Sequence, residues 1–86
     1  MRILNTKKFN KAFSKISPKI QAKFYEATEI LLINPLDPRL RKHALSGKFK
    51  GIWTINITGD WRLLYEEINE STILLLDIGT HSQLYK

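Results

Sequence analysis

Apolar positions in the first third of the chain recur at helical spacing. Phe9, Ala12, Phe13 and Ile16 fall at i, i+3, i+4 and i+7, which puts them on one face of a helix. Lys7, Lys8, Lys11 and Lys15 lie off that face. Asn5 or Thr6 can cap this helix, after a short apolar start, Arg2-Ile3-Leu4, that reads as an edge or inserted strand. Ser17-Pro18 restarts a helix, with Ser as cap and Pro at the first position, where its missing N–H costs nothing. Ile20, Phe24, Ala27 and Leu31 continue an apolar stripe that Ile30 and Ile33 widen. The helix has to end near Asn34, because Pro35 disfavours helical geometry in the residue before it.

After residue 50 the period changes from helix-like to two. Trp53, Ile55 and Ile57 alternate with Thr54, Asn56 and Thr58, as in a half-buried strand. Thr58-Gly59-Asp60 signals a hairpin. Trp61, Leu63 and Tyr65 then alternate with Arg62, Leu64 and Glu66. Asn69-Glu70-Ser71 makes the next turn, and Ile73 to Ile78 is nearly continuous apolar, which suits a central strand covered on both faces. The order predicts an α+β fold: an N-terminal strand and a two-helix hairpin packed on a mostly antiparallel sheet of about four strands.

Length and charge narrow the picture. At 86 residues the chain is read as one domain, spanning 1–86. It has no cysteine, so disulfides and zinc–thiolate sites are excluded. Its basic N-terminus turns amphipathic at once, unlike a signal peptide, and no apolar run reaches bilayer length, so a soluble cytoplasmic protein is expected. Net charge is +6 but uneven: residues 1–50 carry +9 and residues 51–86 carry −3. A field of that sign attracts polyanions. The helix lysines alone fit a solvated surface. The denser Arg39, Arg41, Lys42 and His43 run, with Lys48 and Lys50, points to nucleic acid.

His81 follows the last strand, and imidazole titrates near neutrality, so it is a candidate general acid or base. His43 sits in the basic loop. No third ligand stands at metal-binding spacing from the two histidines, so neither a metal nor another cofactor is expected. Asp60 is a base, an orienting partner or a turn former. Arg62 points away from the Trp61/Leu63 face, and is either a phosphate ligand or the ion-pair partner of Glu66 or Glu67. Tyr85 can stack on a base or pack on the sheet. Trp53 and Trp61 read as core. There is no nucleophile motif, and RNA cleavage needs none, because the 2′-hydroxyl of the substrate can attack.

Taken together, His43-Ala44-Leu45-Ser46-Gly47, Lys50-Gly51, Gly59-Asp60-Trp61-Arg62-Leu63-Leu64-Tyr65, Gly79-Thr80-His81-Ser82 and Leu84-Tyr85 resemble the RelE-superfamily toxins of bacterial type II toxin–antitoxin modules, most closely the YafQ-like branch. The resemblance covers essentially the whole chain. It implies a ribosome-dependent, metal-free mRNA endonuclease, held inactive by a cognate acidic antitoxin. By position, His81 matches the principal catalytic histidine, His43 and Asp60 match positions implicated in catalysis, Arg62 matches the arginine at the scissile phosphate, and Tyr85 matches the terminal aromatic. The chain departs from the pattern at Asn56, where such toxins often carry another histidine. Two other readings stay open: a non-catalytic module of the same fold that binds RNA, ribosome or antitoxin, and a ribosome-associated protein that blocks without cutting.

Overall fold

The computed structural model describes residues 1–85. Strand β1 (Arg2–Asn5) leads into helices α1 (Lys7–Ser14) and α2 (Pro18–Ile33). A 3-10 turn at Pro38–Leu40 precedes the two-residue strand β2 (His43–Ala44), and a second at Gly47–Phe49 follows it. Strands β3 (Trp53–Thr58), β4 (Trp61–Asn69) and β5 (Thr72–Thr80) form a meander, and a single turn of helix, α3 (His81–Leu84), follows β5.

The helix starts are built as their caps dictate. Thr6 accepts from the Phe9 N–H, and Ser17 accepts from the Ile20 N–H with Pro18 at the first position. The α1 and α2 faces meet through rings: the Phe13 and Phe24 centroids lie 4.9 Å apart edge-on, and Phe9 and Phe24 lie 5.6 Å apart. Such pairs add about 0.5–1.5 kcal/mol each beyond the area they bury. One position departs from the predicted stripe. Ile33 is 85% exposed. At 100° per residue it stands about 200° from the buried Leu31, on the opposite side of the helix.

The sheet has five strands in the order β1-β5-β4-β3-β2. Four strands were expected; the fifth is β2, too short to show a period. All neighbours are antiparallel except β1, which lies parallel to β5 with Ile3 opposite Ile73. The middle strand is therefore β4, while β5 is interior between β1 and β4. The helices cover one face of the sheet. On it Ile55, Leu63, Tyr65 and Leu75 are buried at 1% exposure or less. The other face is only partly covered, by the 47–52 loop and α3, and Leu74 and Leu76 of β5 are half-buried. Thr54, predicted to face outward, is fully buried on that second face. Its burial comes from a distant residue, Tyr85, whose hydroxyl reaches the Thr54 Oγ1 at 3.5 Å.

Candidate functional site

Alternation along the strands decides what the second face displays. Ile55 and Leu63 pair across β3 and β4 and point into the core, so the next pair, Asn56 and Arg62, points the other way. Along β2 the same rule sends His43 and Leu45 to that face, with Arg41 before them. A register shift between Asn56 and Thr58 marks a bulge at the hairpin end of β3, a device that re-aims side chains beside functional sites. At the far end of β5, α3 turns back over the sheet and brings His81 and Tyr85. Together Arg41, His43, Leu45, Asn56, Arg62, His81 and Tyr85 line one open cleft of about 540 Å³.

The orientation of each group has a local cause. His43 Nδ1 lies 2.9 Å from the Arg41 carbonyl oxygen. A carbonyl can only accept, so Nδ1 carries the proton, and in the neutral ring the Nε2 lone pair is left free. Arg41 reaches this arrangement with φ +48°, a left-handed backbone that an arginine adopts at a cost. One guanidinium nitrogen of Arg62 donates to the Gly59 carbonyl at 2.6 Å and to the Trp61 carbonyl at 3.1 Å. The turn carbonyls thus aim the fork. Among the described residues no carboxylate pairs with it; Glu67 stands on the other face of the sheet, with Lys42. No acidic side chain lines the cleft among the described residues, so its field is that of Arg41 and Arg62.

His81 opens α3, and its backbone N–H donates to the Asp60 carbonyl at 3.1 Å. Thr80 and Gln83 form a reciprocal cap: the Gln83 side chain accepts from the Thr80 N–H, and the Thr80 hydroxyl accepts from the Gln83 N–H. Tyr85 packs at 4.7 Å between ring centroids on His81 and edge-on at 5.9 Å against Phe49.

The remaining candidates stand outside the cleft. The Asp60 carboxylate is in the exposed β3–β4 turn, and the residue reaches the site only through its backbone. Arg39 forks onto Asp37 at 2.8 and 3.0 Å. Its guanidinium and N–H hydrogen bonds hold the Asp37 carboxyl down to about 2. Lys42 faces the helix side of the sheet. The Lys48 ammonium lies 5.2 Å over the Phe49 ring, and Lys50 is exposed at the edge of the 47–52 loop. Leu45 was not singled out from the sequence as a wall residue, although its spacing of two from His43 carries the signal. Asn56, in sequence only the place of a missing histidine, faces the cleft with its amide. No cluster of three metal-ligating side chains occurs among the described residues.

Residues 1–86 match the model of the bacterial toxins of type II toxin–antitoxin systems, YafQ. The chain belongs to that family. Its fold is that of YafQ from Escherichia coli BL21(DE3), with a TM-score of 0.83 at 22% identity over all of both chains. A copper-bound mutant toxin from Helicobacter pylori is similar at 28% identity and TM-score 0.76, over 99% of each chain. A YoeB/ParE toxin from Agrobacterium tumefaciens has 15% identity and TM-score 0.78, over 94% of this chain and 99% of that one. No curated protein is similar enough in sequence to count as a match. No helix of the described residues is long and apolar enough to cross a membrane.

Proposed function

We propose that this YafQ-family toxin cuts mRNA on the ribosome, and that the cleft carries the chemistry. The observation that supports this best is the meeting of His43, Arg62 and His81 on one open sheet face, with the Nε2 of His43 free and no carboxylate on the Arg62 fork among the described residues. In this reading the 2′-hydroxyl oxygen attacks the adjacent phosphorus while its proton passes to His43 Nε2. The bond from phosphorus to the 5′-oxygen breaks, and that oxygen takes a proton from His81. Charge on the pentacovalent phosphorus is met by Arg62, whose planar fork suits phosphate, with Arg41 beside it. The products are a 2′,3′-cyclic phosphate and a 5′-hydroxyl. The acid, the base and the cation are all side chains, so no step requires a metal. Tyr85, already packed against His81, offers a face to a base.

His43 replaces Asp60 as the better base, since the Asp60 carboxylate is outside the cleft. A cognate antitoxin completes the reading: the similar E. coli YafQ has been solved in complex with DinJ, at 22% identity to this chain. An acidic antitoxin segment suits the +9 balance over residues 1–50. The direct test of the chemistry is a message with one 2′-deoxy nucleotide at the scissile position. Cleavage there should vanish while flanking cuts persist. Unchanged cutting at the deoxy position would reject attack by the 2′-hydroxyl.

A further inference from the structure

Lys42 stands beside His43 in a basic run that reads as an RNA contact, yet the structure uses it differently. Adjacent residues entering a strand point to opposite faces. With His43 in the cleft, Lys42 is on the helix side. Its ammonium lies 3.0 Å from Glu67 Oε2 and 4.5 Å from the centre of the Trp53 ring. The side chain is only 13% exposed. Trp53 belongs to β3 and Glu67 to β4, so one lysine spans two strands from the edge of the sheet.

The edge it leaves is weak. Strand β2 has two residues, His43 opposite Thr54 and Ala44 opposite Trp53, followed by the Leu45 N–H donating to the Ile52 carbonyl at 2.9 Å. So short a strand has few bonds of its own to set its position. It follows Arg41 in a left-handed backbone, which favours release unless the surroundings hold it. We infer that Lys42 is a positioning residue: clamped by Glu67 and Trp53, it fixes β2 on the sheet so that His43 faces Arg62 and His81, and it takes no phosphate. This assignment rests on the reading of the cleft as a nuclease site.

Lys42→Met keeps the aliphatic stem over Trp53 and removes the ammonium. Glu67→Gln removes the anchoring charge at nearly constant shape. Both variants should lower kcat on ribosome-bound mRNA by about 5–20-fold with KM unmoved, since small misplacement of a catalytic group is costly. The double variant should be little worse than either single one. Lys42→Arg should restore most of the rate. The salt slope for binding a single-stranded oligoribonucleotide should stay at the wild-type value in both variants, whereas Arg41→Ala should reduce it by about 0.7. In the free protein, exchange of the Leu45 amide should quicken several-fold in both variants. A slope lowered by about 0.7 in Lys42→Met, with tighter RNA binding by Glu67→Gln, would make Lys42 a phosphate ligand and overturn the assignment. Unchanged Leu45 exchange also overturns it. If the wild type cuts no message, the nuclease reading fails, and Leu45 exchange still decides whether Lys42 holds β2.

Discussion

Placing His81 depends on one turn of helix, and Gly79 is where that dependence can be measured. A Cβ at Gly79 would stand 3.0 Å from Gln83 Oε1 and 3.3 Å from Leu84 Cδ2. The Gln83 oxygen has no room to yield without cost, because it accepts the Thr80 N–H at 2.8 Å as half of the reciprocal cap. Gly79→Ala therefore pushes on the cap and on the Leu84 contact together. Losing a cap costs about 0.5–2 kcal/mol, and a helix this short has no stability of its own in water. The α3 turn should lift or fray, while the buried strands beneath keep their packing. The melting temperature should fall by no more than about 8–16 °C, since about 1 kcal/mol shifts a domain of this size by about 4–8 °C. Cleavage should fall much further, on the order of 10–100-fold, because displacement of about 1 Å is enough to cost that much. Single-turnover cleavage and a thermal melt of the same preparation separate the two effects. Gly79→Ala combined with Gln83→Ala removes the closest collision and should be little worse than Gln83→Ala alone. Cleavage at the wild-type rate in Gly79→Ala would refute the claim that α3 sets the position of His81.

Leu75, 1% exposed among the helix-facing residues, should cost about 2–5 kcal/mol when cut to Ala, read by denaturant unfolding. The Tyr65 hydroxyl is buried without a partner among the described residues, so Tyr65→Phe should be neutral or stabilising by about 1–2 kcal/mol, and a clear destabilisation would show that the hydroxyl is satisfied. Burial, and then the Glu67 charge, raise the Tyr65 hydroxyl above its ordinary value. Its folded value lies above the unfolded one, so its contribution is intact below about pH 10 and is lost as the pH rises further. Tyr65→Phe should accordingly flatten the alkaline limb of the stability–pH curve. Arg62→Ala should weaken cleavage, with Arg62→Lys recovering only part, since a point charge cannot copy the fork.

Much of the frame was legible because it rests on local rules. The Thr6 and Ser17 caps, the stop before Pro35 and the alternation at Trp53/Ile55/Ile57 need no distant partner. Ile33 departs from the stripe because widening it overlooks helical angle: two residues past Leu31 is just over half a turn away. Thr54 was misread because its cover, Tyr85, lies 31 residues on. In the site, His81 and Arg62 were legible from strand ends and alternation. The approach of His43 was not, because a two-residue edge strand leaves no periodic signal. The separation of Lys42 from His43 follows from alternation, but only once that strand is known to exist.

In the proposed mechanism this cleft cuts RNA, and His81 gives the leaving oxygen its proton. The most direct measurement maps the ends left on ribosome-bound mRNA by the wild type and by His81→Ala, both checked for an unchanged melt. New 5′-hydroxyl ends are expected with the wild type, and a rate lower by roughly 10²–10⁴-fold with His81→Ala. Equal cutting by the two proteins, or 5′-phosphate ends, would contradict the mechanism. Intact message with both, while the wild type still binds ribosomes or an antitoxin, would leave a binding module in place of a nuclease.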